Sequence, residues 1–384
     1  MLPVIVATVE VAGLLAMVER SSTTGSVGPT LSVVLPNYNH SQYLPRALDA
    51  LLLQERPADE IIVVDDCSTD SSAKIVREYA VKYRSIRLIE NATNIGVIAT
   101  LSRGLGEAAG QYVYFGAADD FVLPGFFETA VEMLKANPGA GFFFGDAILV
   151  DGHTGRTLGA RPPVRPQFHA GCIVASDVAR LLRQNDNFIV TGAAVFRRDA
   201  TVAAGGFDEN LSSFADGYLV RKIALTRGFC YAPTPVLTWC IFPDSVSRQV
   251  STQATRAREI LGKIEARLTE DADFPPWYPE AFRRRWRFAT SRLAIEDDPI
   301  NLELLIDMGA QNATDRTVFN CLTRLFGRNA RIPVLGWLWL RFRPFSLTGL
   351  ATTAFSRHAA AIFRNDSARS RYGSRPQLDP PHPK

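Results

Sequence analysis

From Leu31 onward, apolar residues fall in short continuous blocks separated by stretches with a helical repeat. Leu31-Ser-Val-Val-Leu35, Ile61-Ile-Val-Val64, Ile86 to Ile89 and Tyr112-Val-Tyr-Phe115 have the length and β-branched or aromatic content of strands. Between them Leu44, Ala47, Leu48, Leu51 and Leu52 share one helix face, as do Ile75, Val76, Tyr79 and Ala80, and Val97 to Ala109 makes a third helix. A fourth begins after Pro124. Strands apolar throughout, alternating with helices, predict an α/β fold: a Rossmann-like, mostly parallel sheet covered by helices on both faces. Ligands of such sheets sit outside the carboxyl ends of the strands. Those ends read Pro36-Asn-Tyr-Asn39, Asp65-Asp-Cys-Ser-Thr-Asp70 and Ala117-Ala-Asp-Asp120, so polar and acidic groups gather at one rim.

Two carboxylates directly after a buried strand are solvated poorly unless they meet a cation or ligand. Oxygen donors of this kind suit Mg²⁺ or Mn²⁺ with phosphates completing the shell. The plainer alternative is that Asp119 and Asp120 cap the helix after Pro124. Asp65 and Asp66 at a neighbouring strand end, with no Lys or Arg within these loops, shift the balance toward a cation or nucleotide.

Residues 31–123 resemble the nucleotide-binding half of family 2 glycosyltransferases, which have the GT-A fold. The resemblance is carried by Ser32-Val-Val-Leu-Pro-Asn-Tyr-Asn39, Glu60-Ile-Ile-Val-Val-Asp-Asp-Cys-Ser-Thr-Asp70, Asn94-Ile-Gly96 and Tyr112-Val-Tyr-Phe-Gly-Ala-Ala-Asp-Asp120, in the family's order and spacing. It implies that Pro36, Tyr38, Asn39, Asp65, Asp66, Gly96 and Asp120 bind the nucleotide sugar and that Asp119 is the metal ligand. Ala117 departs from the family's D-x-D motif. More weakly, Phe196-Arg-Arg198, Gly205-Gly-Phe-Asp-Glu209 and Ala215-Asp-Gly-Tyr-Leu219 look like the stretch ending in the family's E-D motif, which makes Asp216 the general base; Ala215 is a second departure. Asp216 capping the helix that holds Leu219, Ile223 and Leu225 is the alternative.

The implied activity is inverting, non-processive transfer of one sugar from a nucleotide diphosphate to a saccharide or lipid-linked hydroxyl, in cell-surface polysaccharide or glycolipid synthesis. A non-catalytic nucleotide-sugar or glycan binding protein is the rival, since Ala117 and Ala215 both fall within motifs. A nucleotidyltransferase would need a glycine-rich basic phosphate loop after the first strand, which the sequence lacks. Gly104-Leu-Gly106 with Gly110 lies inside a helical stretch with its third glycine one place late, so it is no dinucleotide fingerprint. Arg285 and Trp286 lack, at the spacing Q-x-x-R-W, the glutamine that processive synthases carry there.

The 384 residues divide into an apolar segment and linker (1–29), a GT-A unit (30–250, halves 30–123 and 124–250), a helical extension (251–323) and a basic apolar region with a tail expected to be disordered (324–384). Residues 1–18 are apolar but interrupted by Glu10, which reads as a packed or frayed helix rather than a signal peptide. The net charge of +3 argues against a nucleic-acid binder and hides an uneven split. Residues 324–384 hold eleven Lys+Arg against two Asp+Glu, a local +9 that leaves −6 for the rest. The segment Ile332 to Leu340, with two tryptophans and flanking arginines, suits peripheral contact with anionic lipid through 324–364, or else a buried helix pair. Five widely spaced cysteines, none in C-x-x-C, predict free thiols in a reducing compartment, hence a cytoplasmic protein, which the basic end would bring to the inner face of the plasma membrane.

Overall fold

The computed structural model describes residues 30–242 and 253–344. The expectations for residues 1–29 and for the tail beyond 344 lie outside the described residues.

The predicted alternation is present. β1 (Leu31–Asn37), α1 (Leu44–Leu52), β2 (Glu60–Asp65), α2 (Ser72–Lys82), β3 (Ile86–Glu90), α3 (Val97–Glu107) and β4 (Tyr112–Phe115) form a parallel unit in spatial order β3-β2-β1-β4. Alternate residues of each strand feed two different cores. Val34, Ile62 and Val64 point to the side of α3 with Leu101 and Leu105, while Val33, Leu35, Ile61 and Val63 point to the side of α1 and α2 with Leu44, Leu48 and Val76. That double burial is why the strands read as continuous apolar blocks. Gly104 belongs to this packing, because a Cβ there would run into the Val34 side chain as α3 lies on β1.

Beyond β4 the sheet becomes mixed. β5 (Phe121–Val122), α4 (Phe126–Ala136), β6 (Phe142–Asp151), β7 (Thr157–Arg161), β8 (Gly171–Ile173), α5 (Ala175–Gln184), β9 (Ala194–Arg197), α6 (Arg198–Ala203), α7 (Ala215–Arg227) and β10 (Phe229–Ile241) follow. β9 pairs antiparallel with both β4 and β6, β10 runs parallel to β6, and β5 closes the edge against β10, so the path ends β4-β9-β6-β10-β5. The cysteine expectation is corrected here. The antiparallel register sets Cys230 of β10 opposite Cys172 of β8, and the two form a disulfide; Cys67, Cys240 and Cys321 are free. A sequence separation of 58 residues concealed the pairing.

Helices α8 (Ala254–Glu270), α9 (Tyr278–Glu296), α10 (Leu302–Gly309), α11 (Ala313–Phe326) and α12 (Arg331–Phe342) complete the chain. Their apolar faces do not make a separate core. Ile264, Tyr278, Phe282, Leu305 and Leu338 join the same cluster as Phe144, Tyr218 and Phe229 of the sheet side. Ion pairs from Lys222 of α7 to Asp271 (2.8 Å) and from Arg267 of α8 to Asp208 (3.1 Å) fasten the extension beside α7. No helix among the described residues is long and apolar enough to cross a membrane.

Candidate active site

The ends of β1 and β2 are joined by side chains. Asp65 is buried, and its carboxylate accepts from Asn37 Nδ2 (2.7 Å), Ser68 Oγ (2.6 Å) and the Ser68 backbone N–H (2.9 Å). Asn39 sits at φ 55°, and its Oδ1 accepts from the backbone N–H groups of Thr69 (2.8 Å) and Asp70 (3.3 Å). Asp70 in turn accepts from Ser72 and Ser41; burial works against its charge, but these bonds outweigh it and draw the carboxyl down to about 2. Asp70 thereby bonds the first N–H of α2, while Ser71 at the cap position makes no side-chain bond. Pro36 is buried within β1, and Tyr38 is left as the exposed ring of this rim.

Asp66 is equally committed. Its carboxylate accepts from Asn91 Nδ2 and from the backbone N–H groups of Ile95 and Gly96, each at 2.8 Å. Gly96 occupies φ 87° at the start of α3, a conformation that side chains resist, so its role is to let the backbone turn into that bond. Both aspartates therefore shape the loops that rim the strand ends. Asn37 Oδ1 stays buried without a hydrogen-bond partner beside them, an acceptor that the sequence motif did not single out.

Asp119 and Asp120 occupy the turn between β4 and β5, strands hydrogen-bonded on opposite sides of the mixed half. Asp120 accepts from the Cys240 backbone N–H at 2.8 Å, which ties this turn to the end of β10. Burial, and then the negative charge of Asp119 beside it, push the Asp120 carboxyl well above the usual carboxylate range. The Cys240 thiol is likewise raised to about 12 by burial and by Asp120. The sequence showed no cation within these loops; the fold brings Arg46 of α1 over the Phe121 ring, 3.5 Å from its centroid. Among the described residues there is no group of three or more His, Cys, Asp and Glu able to cage a metal. Two adjoining carboxylates, one raised by burial and then by its neighbour's charge, instead fit a hard divalent cation that takes the rest of its shell from a ligand's phosphates.

Asp216 lies in the first turn of α7, its carboxylate accepting from the Gly217 N–H (2.7 Å), with the Thr191 side chain near enough to favour its charge. Burial raises its carboxyl above the ordinary range, against the pull of both and of Arg221. It does not cap the helix, since Phe214 holds the cap position without a side-chain bond. Thr191 belongs to a short 3₁₀ turn, Thr191–Ala193, and the hydroxyl of Tyr114 on β4 donates to the Gly192 carbonyl at 3.1 Å. Tyr114 also feels the charge of Asp120, which together with its burial lifts its phenol. The acidic turn and Asp216, about a hundred residues apart in sequence, thus share Tyr114 and the 191–193 turn as supports. Neither support was legible beforehand, because Tyr114 reads as a strand residue and Thr191 stands outside any motif.

Residues 32–202 match the family model described as glycosyl transferase family 2. The succinoglycan biosynthesis protein ExoO of Rhizobium meliloti is 28% identical over 262 residues, covering 67% of this chain and 69% of that protein. The alignment with an uncharacterized glycosyltransferase of Escherichia coli, 40% identical over 103 residues, spans only 30% of that relative's length. Among solved structures, Staphylococcus aureus TarS in complex with UDP-GlcNAc superimposes with a TM-score of 0.57 at 17% identity, over 82% of this chain and 91% of that one. A Pyrobaculum calidifontis mannosyltransferase in complex with GDP-Man and Mn²⁺ gives 0.51 at 21% identity, over 89% and 88%. These structural likenesses agree with a GT-A fold.

Proposed function

We propose that this chain, which belongs to glycosyl transferase family 2, moves one sugar from a nucleoside diphosphate sugar to an acceptor hydroxyl with inversion. The single observation that carries the reading is the placement of an acidic turn, Asp119-Asp120, and a separate half-buried carboxylate, Asp216, on supports joined through Tyr114. Transfer needs those two kinds of acid in two places: one set where diphosphate charge builds, the other where the acceptor loses its proton.

A hydroxyl is a poor nucleophile, so a carboxylate must take its proton as the oxygen attacks the anomeric carbon. Asp216 is suited to this, because burial raises its proton affinity and makes the ionised form a stronger base. The Gly217 N–H fixes one oxygen of its carboxylate. The bond from the anomeric carbon to the diphosphate oxygen breaks as the new C–O bond forms, and one displacement inverts the centre. Asp119 and Asp120 would hold Mg²⁺ or Mn²⁺, which when bound offsets the charge on the departing diphosphate. The Asp65 and Asp66 networks keep the rim in place for the nucleoside, with the Tyr38 ring and Gly96 exposed on it. Likeness to a succinoglycan biosynthesis protein supports a saccharide acceptor; that it is lipid-linked and met at the inner face of the plasma membrane is part of the same proposal.

The test is incubation with a panel of nucleotide sugars, Mg²⁺ or Mn²⁺ and candidate acceptors, following nucleoside diphosphate release. Release that disappears in Asp216→Asn, with donor binding retained, supports the proposal. Binding with no release from any donor and acceptor pair would turn it toward a nucleotide-sugar binding protein.

A further inference from the structure

A cavity of about 680 Å³ opens between α9, α12 and the end of α5, and none of its lining residues belongs to the strand-end loops. Its charge is lopsided. Arg183, Arg284, Arg285 and Arg343 line it against one carboxylate, Glu280. Arg285 is occupied, bonding the Leu182, Arg183 and Pro344 carbonyls and lying 3.4 Å from Asp186. Arg284 and Arg343 form no ion pair among the described residues.

The remaining walls are apolar or aromatic: Trp277, Trp339, Leu340, Ala281 and Pro344. The guanidinium of Arg183 stacks over the Trp277 ring at 4.6 Å, so that face is not open for a sugar to stack on. The indole Nε1–H of Trp339 is buried without an acceptor. An anionic oxygen in the cavity would meet Arg284 and Arg343.

One side of α12 extends this chemistry outward. Val334, Leu338 and Phe342 are buried, yet Ile332 is 82% exposed, Leu335 37% and Leu340 58%. Ile332, Leu335 and Trp339 recur at the helical repeat, giving an apolar stripe that leads into the arginine-lined cavity. We propose that this cavity binds the phosphate head of a lipid, with Arg284 and Arg343 on the phosphate, the Trp339 ring in its wall and the acyl chain along the Ile332–Leu335 stripe. The assignment is independent of sugar transfer, and its test reads binding alone.

The full chain is titrated with dihexanoyl phosphatidic acid, dihexanoyl phosphatidylcholine and inorganic phosphate, by calorimetry and tryptophan fluorescence. Phosphatidic acid is expected to saturate at one site with a fluorescence change that Trp339→Phe removes. Phosphatidylcholine and inorganic phosphate should bind at least about tenfold more weakly, the worth of one charge-assisted bond or a few buried methylenes. Arg284→Ala with Arg343→Ala should weaken phosphatidic acid by about tenfold or more, with the circular dichroism spectrum unchanged; the single, exposed Arg284→Gln gives a second reading in the same direction. Inorganic phosphate binding as tightly as the lipid would overturn the proposal. So would affinity for phosphatidic acid that both arginine variants leave intact.

Discussion

The Tyr114 hydroxyl donates to the Gly192 carbonyl at 3.1 Å, and through it β4 supports the turn whose Thr191 lies beside Asp216. Tyr114 is 2% exposed, so Tyr114→Phe leaves a carbonyl without its partner in a dry place. The expected cost is about 1–3 kcal/mol in urea unfolding. If the turn positions Asp216, kcat falls in the same variant while donor affinity, measured by calorimetry, stays within about twofold. A loss of stability with kcat untouched would make Tyr114 a packing residue only.

Asp216→Asn should remove transfer and stabilise the protein together. The Asp216 carboxyl is raised in the fold, so between its unfolded value of about 4 and its higher folded value the native state binds more protons than the unfolded one. Stability contributed by this group is therefore present at acid pH and lost as pH rises through the folded pKa. The amide never ionises. The melting temperature of Asp216→Asn should exceed that of the parent at pH 7.5 and the gap should narrow toward pH 4.5. The acid limb of kcat against pH should lie above the ordinary carboxylate range.

The raised carboxyl of Asp120 beside Asp119 predicts a response to divalent cations. With Mn²⁺ and a nucleoside diphosphate together at a hundredfold excess over their dissociation constant, the parent should gain about 2.7 kcal/mol of stability. Asp119→Ala should lose most of that gain, and Asp120→Asn part of it. Equal melting shifts in the parent and in Asp119→Ala would place the cation elsewhere.

Gly104→Val tests the packing beneath the nucleotide-binding half. A Cβ at this position already meets Val34 in the middle of β1, and two further methyls would have to displace it and Val64. Overpacking of this kind costs about 1–3 kcal/mol, read as a lower urea midpoint with the slope unchanged.

Much of the nucleotide-binding half was legible in the chain, and for a local reason. Each block such as Ile61–Val64 is buried on both faces, and each helix such as α1 carries one apolar stripe, so composition over five to ten residues reports the element directly. The acidic loops were legible too, since polar residues directly after a buried strand have few structural uses. What their carboxylates touch was not. Asp65 and Asp66 read as acids facing a shared cleft, and the structure adds their partners Asn37, Ser68, Asn91 and the Ile95 and Gly96 amides. Those partners stand up to 30 residues away, and no periodicity encodes them.

The sequence by itself determined the α/β alternation and the rim at which polar groups gather. These follow from burial and from short-range order along the chain. The tertiary structure alone decided the mixed second half of the sheet, the Cys172–Cys230 bond, the merging of the helical extension into the sheet's core, and the Tyr114–Gly192 link. Each of these depends on which distant segments pair and in what register. The free energy of such pairing comes from surfaces that exist only once the chain has closed on itself.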